Sequence, residues 1–598
     1  MHKGDYSRPQ CCRNATMASK PSLLVAAIDF GTTYSGWAFS FKHEYDADPT
    51  RVSCKQWFGD QFISLKAPTT VLIKPDRKTF HSFGYEAETK YAELASKNSS
   101  EYQQWYFFRR FKMMMHGKLN IDRNMRLEDE TQKSLPAQTV FSLVIRYLKE
   151  DMLKTSRDRL GSGNILDDEI TWVLTVPAIW NDAAKQFMRE AAVQAGISSE
   201  NLKIALEPET ASIFCRLLPV EKMVERGGME NFQRGSKYMV LDAGGGTVDI
   251  TVHEVMHGGQ LKEIHKASGG AWGGTQVDEA FKQFIISLIG NPVFCRFQAE
   301  SKEDYLNLFR DFEIKKRNIT PDKQEQITFR FPSTLKDIFE EETGEDLRTA
   351  IHQTRFANKV VLSGDKLRVK SSVIKNLFSR AIQNTVSHVK EMMKYREVRG
   401  ISSILMVGGF SESNMLQNAI RSSFPSVKVI IPQEASLVVL KGAVVFGHSP
   451  FSIAQRVCKY TYGVKTYVPF NNKIHDPAKR IEYEDGPYCM DIFSKHVEIG
   501  QPILLNQTTE EMLYLPLEEN QRSIRFSIFA SPTTSPMYVT DEGCVKLGYV
   551  EVDILDMSVP KKKRSVLVSM TFGGTEIEVQ GREERTGKIT KGTMNFLG

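Results

Sequence analysis

Long hydrophobic runs are missing from this 598-residue chain: no stretch approaches the roughly 18 apolar residues that cross a bilayer, so no membrane span is expected. The opening stretch, MHKGDYSRPQCCRNATMASKP, is polar and lacks the apolar core of a secretory signal; residues 1–22 read as a disordered leader. Eight cysteines are scattered without a CxxC pair. That excludes the spacing of a zinc site or a disulfide framework and points to a reducing compartment, the cytoplasm first and the nucleus second. Twelve histidines show no HExxH spacing, and no Ser-His-Asp or Cys-His arrangement stands out. A net charge of +6 over this length lacks the concentrated basic face of a nucleic-acid binder, so no nucleic acid is expected as partner.

What is present is an ordinary globular composition, 41% hydrophobic and 25% charged. LLVAAIDF (Leu23–Phe30) and TWVLTVPAIW (Thr171–Trp180) read as buried strands. NDAAKQFMREAAVQAGI reads as a helix capped by Asn181 and stopped by Gly196. IALEPETASIF (Ile204–Phe214) passes from strand to helix through Pro208, and YMVLDAGGGTVDITVHEV (Tyr238–Val255) reads as a hairpin with its glycines at the turn. Residues 276–400 are mostly helical in pattern. SSILMVGGFSES (Ser402–Ser413) is a strand, a Gly-Gly turn and a helix start. Beyond GHSPF (Gly447–Phe451) the texture changes to alternating strands and turns. Val25–Phe41 and Tyr238–Val255 share one plan: an apolar strand, an Asp, a Gly/Thr-rich turn and a second strand. Such an echo suggests duplication, with two hairpins facing each other as a phosphate clamp.

Asp29-Phe30-Gly31-Thr32-Thr33 and Asp242-Ala243-Gly244-Gly245-Gly246-Thr247 carry the chemistry. Glycine lets the backbone approach closely, hydroxyls can donate to phosphate oxygens, and successive N–H groups in a turn form an anion nest. Asp29, Asp242 and Glu207 are acids at strand ends. Beside a polyphosphate they require a cation, and magnesium takes such hard oxygen ligands. Either hairpin alone is as well read as a plain turn; it is their joint occurrence with LEPE and VGG that singles them out.

IDFGTTYSG, TVPAIWNDAAKQFMREAAVQAG, LEPETAS, LDAGGGTVD, SGGAWGGTQVD and LMVGGFSES, in this order, resemble the ATPase domain of the 70-kDa heat-shock protein family, and PAIW, IALEPE, VGGF and FGGTEI resemble its divergent 12A/12B branch. The resemblance runs from about Val25 to about Thr586. It implies a two-lobed, actin-like α/β ATPase of duplicated ribonuclease H-like sheets, with lobe I at 23–236 and lobe II at 237–446, of which 276–400 caps the base. A reduced β domain without a helical lid would follow at 450–598 and take proteins or peptides as partners. ATP or ADP with Mg2+ would be the cofactors, and the activity a slow hydrolysis driving a chaperone-like switch in the stress response. Asp29, Asp242 and Glu207 would hold the metal through water. Thr32, Thr33 and Thr247 would touch phosphates beside Gly31, and Gly244, Gly245 and Gly246 would supply N–H groups. Gly408 and Gly409 would line the adenosine side. Glu313, Lys316 and Arg317 would contact ribose and adenine, or form a plain charged helix face. Lys112 would position the attacking water, or be a snorkelling surface lysine. Common members carry Ser-Thr-Arg after the Gly-Gly; here stand Phe410, Ser411 and Glu412, with Phe410 expected to stack on the base. A nucleotide-binding scaffold with negligible hydrolysis and a sugar kinase of the same superfamily are the alternatives. PKKKR (Pro560–Arg564) reads as a solvated hairpin turn before it reads as a nuclear signal.

Overall fold

In the computed structural model, which describes residues 22–593 apart from 60–62, 97–100, 119–120, 161–164, 220–222, 224–231, 555–556 and 573–576, β1 (Leu24–Asp29) is buried along its whole length. The expected leader, 1–22, lies outside the described residues except for its last position. A strand with no exposed residue must be covered on both faces, which is why it alternates no polar side chains. β1 pairs antiparallel with β2 (Tyr34–Phe41) and parallel with β3 (Ile170–Val176), which runs parallel to β4 (Leu202–Leu206).

The second half repeats this order. β5 (Lys237–Ala243) pairs antiparallel with β6 (Val248–Val255), which pairs antiparallel with β7 (Leu261–Gly270). On its other side β5 runs parallel to β8 (Ser403–Val407), and β8 to β9 (Lys428–Ile430). Each lobe of this two-lobed α/β fold is thus built on one of two sheets with the same central order, and the echo between the two hairpins is the visible part of that repeat.

Helices cover the sheets. In lobe I these include α1 (Tyr85–Ser96), α2 (Ala137–Leu160), α3 (Asp182–Gln194) and α4 (Glu207–Cys215). The Asn181 side chain accepts the Ala184 N–H at 2.9 Å, and Gly196, with φ 87°, ends the turn after α3. Lobe II contributes α5 (Thr275–Ile289), α6 (Lys302–Lys316) and α7 (Asn414–Ser423). α8 (Val438–His448) lies against α4 between the two sheets, where Ala211, Phe214, Leu440 and Ala443 share a core with Val25 and Val240. Within 276–400 the helical pattern is interrupted. Ile327–Arg330, Val360–Ser363 and Lys366–Val369 form a small antiparallel sheet whose last two strands turn at Gly364 (φ 63°).

The lobe II sheet continues past residue 450: β10 (Ile453–Val457) pairs parallel with β7, and β11 (Pro502–Leu504) antiparallel with β10. Most of the remaining chain forms two antiparallel sheets over a core of Val464, Phe526, Ile528, Val552, Val566, Val568 and Val579. Among the described residues no α-helix follows α8, and no helix is long and apolar enough to cross a membrane. The basic turn Lys561–Lys563 leaves Lys562 and Lys563 exposed, but Lys561 pairs with Asp485, and Arg564 is buried against Glu519.

Candidate functional site

The tips of the repeated hairpins meet at the floor of a cleft of about 860 Å³ between the lobes. The expected metal, phosphate, water-positioning and adenosine-side residues line it: Asp29, Gly31, Thr32, Thr33, Lys112, Glu207, Asp242, Gly244, Gly245, Gly246, Thr247, Glu313, Lys316, Arg317, Gly408, Gly409 and Phe410. None of Gly244, Gly245 and Gly246 has a positive φ. Their role is close approach: a Cβ on Gly245 would collide with Thr33, and one on Gly246 with Thr32 and Met113. The N–H groups of Gly273, Gly274 and Thr275 hold the carbonyls of Gly246, Gly244 and Gly245 at 3.2, 3.1 and 2.8 Å. Gly244 spends its own N–H on the Thr247 carbonyl (2.9 Å), whereas those of Gly245 and Gly246 have no partner among the described residues. So two N–H groups of the expected three are left for an anion. Gly408 differs: its φ is 86°, and a side chain there would strike Asp242 Oδ1.

Around this tip lie the carboxylates. Asp29 accepts the Thr175 hydroxyl on Oδ1 (2.8 Å) and the Lys66 ammonium on Oδ2 (2.5 Å). Burial pushes its pKa up, but Lys66 and Lys112 outweigh that and hold it below the ordinary value. Glu207 opens α4 and takes the Lys112 ammonium at 2.8 Å. Burial, helped by Asp29 and Asp249 and opposed by Lys112, raises it to about 7. Asp242 is raised further above its ordinary range, by burial and then by repulsion from Glu207, Asp249 and Asp29. Asp249 accepts the Ile179 N–H (3.0 Å) and the Thr247 hydroxyl (2.8 Å), so in this state Thr247 points its proton at Asp249. The set is all oxygen and carries a carboxylate, Asp242, that no described cation contacts. That suits a hard divalent ion. Among the described residues no three His, Cys, Asp or Glu side chains converge to bind one directly.

Lys112 is 3% exposed and lies 5.1 Å from the Trp180 ring, so it is not a snorkelling surface lysine. At the other end, Glu313 bonds Lys316 (2.5 Å) and Arg317 (2.8 Å), Lys316 bonds Asp278 (2.6 Å), and the Arg317 guanidinium sits 5.2 Å from the Tyr34 ring. The helix face is therefore an ion network lining the cleft rather than a solvated one. Arg110 of lobe I reaches Asp278 of lobe II at 2.7 Å, and Glu88 of α1 reaches Arg310 of α6 at 3.0 Å, tying the lobes across the mouth. Phe410 lines the cleft while only 6% exposed, with much of its ring packed into the lobe II core.

Lys66 and Arg110 lie in none of the quoted motifs, while Tyr34 and Asp278 lie inside IDFGTTYSG and SGGAWGGTQVD but were given no role there. Lys66 follows no pattern in SLKAPTT, and only strand register brings it to Asp29. Asp278 closes SGGAWGGTQVD and stands one helical turn past its glycine-rich turn, which is the signal that could have marked it.

Residues 103–449 match the family model described as Hsp70 protein. The chain is 33% identical to heat shock 70 kDa protein 12A of Mus musculus, over 96% of this chain and 92% of that protein. It is 31% identical to heat shock 70 kDa protein 12B of Homo sapiens, over 96% and 91%. It is 24% identical to the chaperone protein dnaK of Cyanidium caldarium, over 68% and 57%. A repeated pair of hairpins closing on one acidic cleft, and matches that run through nearly the whole chain, place this protein in the 70-kDa heat-shock protein family.

Proposed function

We propose that this protein binds ATP with magnesium in the interlobe cleft, hydrolyses it slowly, and uses the closure of its lobes to change what its C-terminal β sandwich holds. The observation that carries this reading is the meeting of both glycine-bearing tips with Asp29, Glu207 and Asp242 in one cleft. The N–H groups of Gly245 and Gly246 and the hydroxyls of Thr32 and Thr33 would bind phosphate oxygens. Asp242, with Asp29 and Glu207, would hold the ion through water, and the ion would offset phosphate charge. Lys112, oriented by Glu207 and Trp180, would position the attacking water, since such chemistry rests on positioning and electrostatics.

Support for a switch comes from the seam between cleft and sandwich. Arg456 on β10 grips Glu209 of α4 with two bonds, at 2.7 and 2.6 Å, two residues from Glu207. Lys459 donates to the carbonyls of Ala178 and Trp180, and the Trp180 ring lies under Lys112. A protein or peptide could extend an exposed sheet edge such as Arg480–Tyr483. A scaffold with negligible hydrolysis is favoured by one fact, the ion pairing of Lys112 to Glu207, which leaves neither group free in this state. ATP titration with magnesium and with chelator, alongside single-turnover hydrolysis, separates these readings. Asp242→Asn is expected to weaken magnesium-dependent binding about tenfold or more while leaving the nucleotide-free fold at least as stable, because it removes a repelled buried charge. Equal ATP binding with chelator present overturns the metal role.

A further inference from the structure

Gly36 pairs with Asp29 across β1 and β2, while Ser35 and Tyr34 pair with Ala67 and Pro68 on the other side of β2. Lys66 therefore stands opposite Gly36. A Cβ on Gly36 would lie 3.2 Å from Lys66 Cγ, tight enough to press on the lysine stem. Glycine weakens a strand interior and often marks a close approach. Here the approach is that of the Lys66 side chain, which passes over Gly36 to the Asp29 carboxylate at 2.5 Å. Lys66 is 14% exposed at its side chain and lines the cleft with Thr32, Gly245 and Lys112. Asp29 keeps its Thr175 bond on the other oxygen, so the carboxylate remains anchored if the lysine leaves.

We propose that Lys66 is a phosphate-contacting lysine of this cleft, which on nucleotide binding turns from Asp29 to the terminal phosphate and frees that carboxylate. The assignment rests on the nucleotide reading above. A compact ammonium on a flexible stem can exchange one anionic partner for another, and its bonds to phosphate are charge-assisted. A buried carboxylate stripped of its partner is costly, so the exchange is favoured only when a cation accompanies the phosphate to Asp29. A nucleotide without the terminal phosphate offers Lys66 no such partner, so this lysine sets a preference for the triphosphate. Lys112, paired with Glu207 beside the Trp180 ring, is the more enclosed of the two, its side chain 4% exposed.

An ATP analogue carrying an acyl group on its terminal phosphate tests this on the unaltered full-length protein. A lysine amine near that phosphate attacks the acyl carbonyl, forms an amide and releases ATP, marking itself for peptide mass spectrometry. The label is expected on Lys66 and should disappear with excess ATP. Label on Lys112 alone, or on neither lysine while the analogue binds, overturns the assignment. Lys66→Met is expected to lose about tenfold or more in ATP affinity and much less in ADP affinity, the scale of one charge-assisted bond. A folded variant that keeps the wild-type preference also overturns it, and if the variant does not fold the labelling decides. Wild-type protein that binds neither ATP nor the analogue overturns the nucleotide reading and this assignment together; binding that ignores Lys66 overturns this assignment alone.

Discussion

Gly245 acts through the side chain it lacks. Its backbone is not in the left-handed region, so on backbone grounds alone Gly245→Ala would stabilise by about 0.4–1 kcal/mol. The new Cβ would instead collide with Thr33 of the opposite hairpin. We expect the contact to reverse the sign, costing about 1–3 kcal/mol as overpacking does. Nucleotide affinity should fall with it, because the tips must part. Urea titration and ATP binding on the same variant check both, and a more stable variant would mean that the tips do not touch in solution. His448 offers a second residue-scale test. Its Nε2 lies 2.9 Å from Ser40 Oγ and its ring stacks on Tyr45 at 4.2 Å. Burial, opposed by the hydrogen bond with Ser40 and by Asp46 and helped by Lys42 and Lys203, pushes the imidazole from 6.5 down to about 4. A depressed pKa contributes stability that is complete above 6.5 and lost as pH falls through about 4, because the unfolded chain takes the proton first. His448→Gln should therefore lose less stability than wild type on acidification across that window. Parallel urea-midpoint curves against pH would contradict this.

At the scale of elements, the crossing of α8 over α4 sets the distance between the lobes. A Cβ on Gly442 would fall on the Thr210 carbonyl, and one on Gly447 on Val25, so two glycines let α8 lie flush against α4 and β1. Helix propensity alone predicts that Gly442→Ala stabilises by about 1 kcal/mol. Packing predicts the opposite, a loss of about 1–3 kcal/mol. We expect packing to win, since the atom struck is backbone and cannot rotate away. Glu207 starts α4, so any shift of that helix should also weaken nucleotide binding. Thermal unfolding with and without ATP measures both effects, and a raised melting temperature would show that the crossing is loose.

For the whole molecule, the decisive contact is the buried pair of Glu209 and Arg456, with side chains 3% and 16% exposed. It joins lobe I to the strand that leads into the sandwich. Arg456→Met alone leaves a buried carboxylate without its partner and should cost about 3–5 kcal/mol. Glu209→Leu combined with Arg456→Met should recover most of that, because a well-packed apolar pair often replaces a buried ion pair without loss. If the seam transmits lobe closure, the double variant should still bind ATP, yet ATP should no longer change how fast protease cuts within 458–593. Wild-type and double variant responding alike to ATP would remove this pair from the coupling route.

Much of this was legible in the chain. An apolar run ending in Asp-x-Gly-Thr-Thr, and another ending in Asp-x-Gly-Gly-Gly-Thr, are local patterns: strand, turn and acid follow one another within a dozen residues, so the two hairpins, the Asn181 cap and the Pro208 helix start could be read directly. The texture change after Phe446 was legible for the same reason. What only the tertiary structure decided were pairings between segments far apart. Lys66 meets Asp29 because β2 carries Gly36 between them; Arg110 meets Asp278, and Arg456 meets Glu209, across 168 and 247 positions. β10 joins the lobe II sheet although its short sequence, IAQRV, names no partner. Phe410 lies at the border of the cleft and the lobe II core, a placement set by residues distant in the chain. A charge or an apolar ring has no address in the chain. Its partner is whichever group the packed sheets bring within reach, and in a low-dielectric interior that choice fixes its ionisation as well.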